Sequence, residues 1–80
     1  MDDYSIIGKI VRFHRKKAGL TQIELANLAE IGKTVVFDIE NGKLSIQFTS
    51  LLKVLHILNI KLDFKSPLIK AFKEQEHEES

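Results

Sequence analysis

Apolar residues in the first part of the chain recur at spacings of three and four, which is typical of one face of an amphipathic helix. Ile7, Ile10, Val11 and His14 form the first such stripe, and Gly19 ends it. We therefore predict a first helix that packs on this stripe and carries cations in its last turn, where they suit the helix dipole.

Two more short helices are predicted directly after the first one. Thr21 begins the second helix, because Glu24 stands three residues later and completes a capping box. Gly32 or its neighbour begins the third helix, and the pair Asn41 and Gly42 ends it. The residues predicted to face inward in these two helices are Leu25, Leu28, Ala29, Val36 and Ile39.

Residues 47–58 predict a fourth helix that is apolar on nearly all sides. Val54 and Ile57 lie off its main stripe, so this helix needs a second contact surface beyond its own domain. A second copy of the chain is the simplest source of that surface. The main stripe consists of Phe48, Leu51, Leu52, Leu55 and Leu58.

Residues 60–65 change to a period of two, with apolar and charged positions alternating, which predicts a half-buried strand. No other segment has a strand pattern, and a lone strand leaves its backbone groups unpaired. We therefore expect pairing with the same strand of a second subunit. The predicted fold is all-α, with four to five helices and this short C-terminal strand.

The chain has two predicted regions. Residues 1–66 form one small domain, since 80 residues suffice for no more. Residues 67–80 form a C-terminal extension, with a short or frayed helix over 68–73 and a disordered acidic end over 74–80.

The composition of the chain limits the classes of function that we expect for it. There are no cysteines, and no apolar run approaches the roughly 18 residues that span a membrane. The first residues have no signal-peptide pattern, so we expect a soluble cytoplasmic protein. Without cysteines, a Gly-rich phosphate loop or histidines at metal spacing, the chain predicts no enzyme, no cofactor and no metal.

Charge is divided unevenly along the chain. Residues 74–80 hold four of the 11 acidic residues, so residues 1–73 carry 12 basic against 7 acidic residues, a net charge of +5. Such asymmetry is compatible with nucleic-acid binding, although a solvated surface explains it equally simply.

Two short helices joined by a sharp turn are the pattern of a helix-turn-helix. In that arrangement the first helix braces the second, and the second presents its polar face to a DNA major groove about 12 Å wide. One longer helix would not project from the domain in this way.

The segments "GLTQIELA" and "IGKTVVFDIENGK" resemble the Cro/repressor-type (XRE-like) helix-turn-helix family. The resemblance covers about residues 6–65 and is nearest to HipB-like antitoxins, because "IENGKLSIQFTSLLKVLHILNIKL" is similar to their fourth helix and closing strand. It implies a sequence-specific, autoregulatory repressor that binds an inverted-repeat operator as a homodimer. It also implies a HipA-like kinase toxin as partner; the alternative is a plain phage-type or chromosomal repressor without a toxin.

The chain departs from the family at the turn between the second and third helices. The family usually has Gly where this chain has Glu30. A left-handed conformation at Glu30 would cost on the order of 1 kcal/mol.

The resemblance assigns roles to individual residues. The groove-facing, base-reading residues are predicted to be Lys33, Thr34, Phe37 and Asp38; the phosphate-binding residues are predicted to be Lys16, Gln22, Gly32, Asn41 and Lys43. The predicted dimer interface comprises Val54, Leu55, Ile57, Leu58, Ile60, Leu62 and Phe64.

Some of these residues have open interpretations. Asp38 is suited either to accepting from cytosine or to repelling phosphates, and Phe37 either contacts the DNA or folds back on the domain. Arg15 is a candidate ion-pair partner for Glu40, and such a pair would join the first and third helices.

Overall fold

The computed structural model describes residues 5–79, and the side chains of residues 5–77. The predicted all-α class is confirmed, and the described residues contain five helices and no strand. No helix among them is long and apolar enough to cross a membrane. The helices are α1 (Ser5–Lys17), α2 (Gln22–Ala29), α3 (Lys33–Glu40), α4 (Phe48–Ile57) and α5 (Ile69–Glu79).

A single core joins the first four helices. Helix α3 packs against α1 and α2, and α4 packs against α2. Helix α5 contributes no residue to this core. The buried apolar residues are Val11, Leu25, Ala26, Ala29, Val36, Ile39, Val54 and Leu55.

The packing face of α1 differs from the predicted stripe. Ile7 and Ile10 are 42% and 38% exposed, whereas Gly8, Val11 and Arg15 are buried. The reason is the close approach of α1 to the end of α3. A β-carbon at position 8 would collide with the Ile39 carbonyl oxygen and would lie 2.8 Å from that of Glu40. The helix therefore packs on the face that has no side chain at this point.

Two other helices depart from their predicted stripes at single positions, although Leu25, Ala29 and Leu55 are buried as predicted. Leu28 was predicted to face inward but is 54% exposed. In α4, Phe48 and Leu52 are exposed, and Val54, which lies off the predicted stripe, is fully buried. Because α4 packs mainly against α2, the face that carries Val54 and Leu55 meets the core.

Helix α2 begins and ends with well-defined capping motifs. The predicted capping box is confirmed: Glu24 N–H donates to the Thr21 hydroxyl, and Thr21 N–H donates to the Glu24 carboxylate. At the other end, Ile31 N–H donates to the Ala26 carbonyl at 3.0 Å, which is the long hydrogen bond of a Schellman motif. This motif requires a left-handed residue, and Glu30 adopts it with φ 58° and ψ 45°.

The C-terminal segments differ from the predictions. Residues 60–66 have no regular secondary structure, since a single chain offers no neighbouring strand for the predicted pairing. Residues 74–79, predicted to be disordered, continue helix α5. That helix is rich in Ala, Lys, Glu and Gln and contains no Gly or Pro, so helix propensity outweighs its high charge. Ser80 lies outside the described residues.

Replacement of Glu30 by Gly should stabilise the domain by about 0.5–1 kcal/mol, because Gly adopts the left-handed conformation without a steric penalty. The Glu30 side chain is exposed, so little packing is lost. For a domain of this size the midpoint of thermal unfolding should rise by roughly 2–8 °C.

Asn59→Gly is the matched control. Asn59 is also left-handed, with φ 59°, but Asn tolerates this conformation far better than Glu does. Its replacement should change the free energy of unfolding by less than about 0.5 kcal/mol. Equal stabilisation by both substitutions would contradict the assignment of strain to Glu30.

Candidate nucleic-acid interface

Helix α3 has one buried face and one exposed face. Val36 and Ile39 are 0% and 4% exposed and anchor the helix in the core, as predicted. Lys33, Thr34 and Phe37 are exposed, and their spacing of one and four residues places them on the opposite face. Phe37 is 51% exposed, so the domain covers about half of this residue and leaves the other half to solvent.

The start of α3 is open to solvent. Gly32 is its N-cap residue, is exposed and provides no side-chain capping bond. The first turn therefore presents backbone N–H groups and the positive end of the helix dipole beside the Lys33 side chain. This combination favours an anion such as a DNA phosphate.

A buried ion pair fixes the other end of α3. Arg15 Nε donates to Glu40 Oε2 at 2.6 Å, and Arg15 Nη2 donates to Glu40 Oε1 at 3.0 Å. Their side chains are only 10% and 2% exposed. The pair confirms the predicted link between α1 and α3, and its two parallel hydrogen bonds give it a defined geometry.

The Arg15–Glu40 pair also makes hydrogen bonds to the turn after α1 and to the start of α2. Arg15 Nη1 donates to the Leu20 carbonyl oxygen at 2.9 Å, in the turn after α1. Gln22 Nε2 donates to Glu40 Oε1 at 3.1 Å from the start of α2. One carboxylate therefore connects the first three helices, and no buried side-chain polar atom of the described residues lacks a hydrogen-bond partner.

The ionisation of Glu40 reflects these contacts. Burial by itself would raise the pKa of the Glu40 carboxyl group. The hydrogen bonds from Arg15 and Gln22, with the charges of Arg15 and Arg12, outweigh burial and hold this pKa below its ordinary value. The pKa of Arg15 is raised, chiefly by its hydrogen bonds to Glu40.

Two predicted phosphate-binding residues make contacts within the domain. Gln22 is half-buried and uses one of its amide N–H groups on Glu40, so only the other one is available to a phosphate. Asn41 Nδ2 donates to the Phe37 carbonyl oxygen at 2.8 Å and so caps the end of α3. Lys16 is exposed in the last turn of α1.

The end of the exposed face of α3 carries an acidic group. Asp38 Oδ2 lies 3.5 Å from Lys43 Nζ, and these side chains are 24% and 54% exposed. Lys43 follows the C-terminus of α3, where its N–H group donates to the Asp38 carbonyl oxygen at 3.0 Å. A predicted base-reading residue and a predicted phosphate-binding residue thus contact each other.

The predicted dimer interface is only partly available. Val54 and Leu55 are buried in the core of one chain, so the domain itself already covers these two side chains, and the interface as a whole stays a prediction. Leu62 and Phe64 are 49% and 70% exposed. The partly buried members of the predicted set are Ile57, Leu58 and Ile60.

Sequence reasoning missed Gly8, the residue that brings α1 against the end of α3. Its spacing in the sequence could have indicated this role. Gly8 stands three residues before Val11 and seven before Arg15, on one face of the helix. Because Gly8 lies beside the carbonyl groups of Ile39 and Glu40, it allows α1 to pack directly against the C-terminal end of α3.

Comparison with known proteins agrees with this geometry. Residues 11–65 match the family described as helix-turn-helix, so the chain belongs to this family, as its resemblance to XRE-type proteins implied. It is a DNA-binding transcriptional regulator. A relative from Sinorhizobium fredii, described as "Uncharacterized HTH-type transcriptional regulator y4mF", is 39% identical over 61 residues, which are 76% of this chain and 80% of that protein.

Glu40→Gln should destabilise the domain by about 3 kcal/mol, because it leaves the buried Arg15 guanidinium without its counter-charge. Urea unfolding measures this loss. Asp38→Asn is the control, since it removes an exposed partner from a lysine pair and should cost less than about 1 kcal/mol. Similar losses in both variants would contradict the central role of the Arg15–Glu40 pair.

The same pair predicts a dependence of stability on pH. Since the pKa of Glu40 is lowered by folding from an ordinary value of 4.5, its contribution is fully present above that value and is lost as the pH falls through the lower folded-state pKa. Wild type should therefore lose more stability than Glu40→Gln between neutral pH and acid, as measured by urea unfolding across this range.

Proposed function

We propose that this protein is a homodimeric repressor that binds an inverted-repeat operator near its own gene. The observation that carries the proposal is the exposed face of α3, which presents Lys33, Thr34 and Phe37 while Val36 and Ile39 hold the helix in the core. A helix supported in this way matches the geometry needed to enter a major groove.

The arrangement around α3 supports contact with the DNA backbone as well. The uncapped start at Gly32 lies at one end of the helix and Lys43 at the other, so phosphate contacts can flank the base-reading residues. Phosphate contacts set the register of the protein on the duplex, and base contacts set its sequence preference.

A dimer is supported by the segment that follows α4. Residues 60–65 alternate apolar and charged side chains, and Leu62 and Phe64 are exposed in the single chain. Pairing of this segment with its copy across a two-fold axis would satisfy its backbone and cover both side chains. Two recognition helices about 34 Å apart would then read the two halves of an inverted repeat.

The resemblance to HipB-like antitoxins supports a more specific role, in which the repressor also binds and inhibits a HipA-like kinase toxin. The competing proposal is a plain phage-type or chromosomal repressor with no toxin. A kinase-like reading frame beside the gene, whose product co-purifies with this protein, would favour the antitoxin. A phage neighbourhood would favour the plain repressor.

The first test measures binding of the purified protein to the DNA directly upstream of its gene. Fluorescence anisotropy at two salt concentrations reports this binding. We expect tighter binding than to a scrambled duplex of equal length. Lys33→Ala should weaken operator binding or reduce the salt slope by about one unit. Lys53→Ala, which removes an exposed lysine from α4, should leave base preference unchanged.

Weak binding that is equal for both duplexes and disappears with salt would leave only the electrostatic attraction of a basic protein. That result would contradict a sequence-specific repressor at this site. If Lys33→Ala and Lys53→Ala changed operator binding and base preference equally, Lys33 would not belong to the base-reading face.

Phe64→Asp should abolish the dimer while leaving the monomer folded, because Phe64 is exposed and an added charge would be buried at the paired segment. Analytical ultracentrifugation gives the mass, and circular dichroism gives the helix content. Phe13→Asp is the matched control, an exposed phenylalanine on α1. A dimer that persists in Phe64→Asp would place the interface elsewhere.

A further inference from the structure

The exposed face of α3 contains one residue whose charge opposes DNA binding. Lys33 and Lys43 favour contact with phosphates, yet Asp38 lies five residues after Lys33 on the same helix. Its side chain is 24% exposed, and it follows Thr34 by four residues, which places it on the same side of α3 as Thr34. A carboxylate in this place lowers DNA affinity unless it receives a hydrogen bond from the DNA itself.

Asp38 contributes little to the stability of the fold. Its Oδ2 atom lies 3.5 Å from Lys43 Nζ, a long and solvent-exposed pair that contributes little to stability. Among the described residues, no side chain donates a hydrogen bond to Oδ1. One carboxylate oxygen thus has no side-chain donor among the described residues, and the other lies near Lys43 Nζ.

The edges of the bases decide what this oxygen can accept. In the major groove only cytosine N4 and adenine N6 are donors. Adenine N6 stands beside the acceptor N7, which repels a carboxylate, whereas cytosine presents its N4 donor without a neighbouring acceptor of its own. An ionised Asp38 therefore favours cytosine over the other three bases.

We propose that Asp38 selects a cytosine at one fixed position of each operator half-site, by accepting a hydrogen bond from the cytosine N4 amino group. Lys43 positions the carboxylate and screens its charge from the neighbouring phosphates. This inference rests on the proposed function, since it names the base that one residue of the DNA-reading face recognises.

The experiment is selection of binding sites from a randomised duplex library, using the full-length wild-type protein, Asp38→Asn and Asp38→Ala. Wild type should enrich a half-site in which one position is cytosine. At this position it should prefer cytosine over each other base by at least about fivefold. Asp38→Asn should change this position to adenine, because an amide pairs with both adenine N6 and N7. Asp38→Ala should lose the preference at this position alone.

Glu30→Gln is the matched control, because it also converts an exposed acid to an amide but lies in the turn before α3. It should bind more tightly through reduced repulsion and select the same half-site as wild type. Thermal unfolding of each variant checks that the fold is retained, which we expect because Asp38 has no buried partner.

The outcomes separate the inference from the proposed function. A wild-type half-site that Asp38→Asn leaves unchanged would overturn the cytosine contact while sequence-specific binding stands; in that case Asp38 only repels phosphates. Enrichment of no sequence by wild type would overturn both. A loss of preference at every position in Asp38→Asn would also overturn the inference, since it predicts a change at one base pair.

Discussion

The position of α3, the helix proposed to read DNA, depends on one buried carboxylate. Glu40 receives hydrogen bonds from Arg15 on α1 and from Gln22 on α2, while its own backbone ends α3. A buried ion pair is costly unless its polar atoms are satisfied, and here both carboxylate oxygens and the Nε, Nη1 and Nη2 groups of Arg15 have partners. The cluster fixes the relative orientation of three helices more than it adds stability.

Close packing and the ion pair depend on each other. Arg15 reaches Glu40 only because α1 lies directly against the end of α3, and Gly8 permits that approach. Helix α3 has only eight residues, too few to be stable on its own. Its rigidity must come from the core at Val36 and Ile39 and from this anchored end. The residues on its outer face, Lys33, Thr34 and Phe37, therefore stay exposed.

Helix ends could be predicted from the sequence, because capping is local chemistry; Thr21 with Glu24 and the turn at Gly32 show this. The buried face of each helix was harder to predict. Apolar residues occupy several sides of α1, and the face that packs was decided by Gly8 and Arg15, which a hydropathy pattern counts as polar. The outward positions of Lys33, Thr34 and Phe37 followed from the resemblance to the family, whereas the internal bonds of Gln22 and Asn41 depend on tertiary geometry.

The proposed dimer has a different physical basis from the DNA-reading face. Residues 60–66 lack regular secondary structure in the single chain, so the proposed strand pairing would have to fix their backbone in an extended conformation on association. Each ordered residue costs on the order of 1–2 kcal/mol of backbone entropy, which offsets part of the gain from covering Leu62 and Phe64. Association is then sensitive to protein concentration. In an autoregulatory repressor this sensitivity is useful. The dimer that represses transcription of the gene forms in quantity only after enough protein has accumulated.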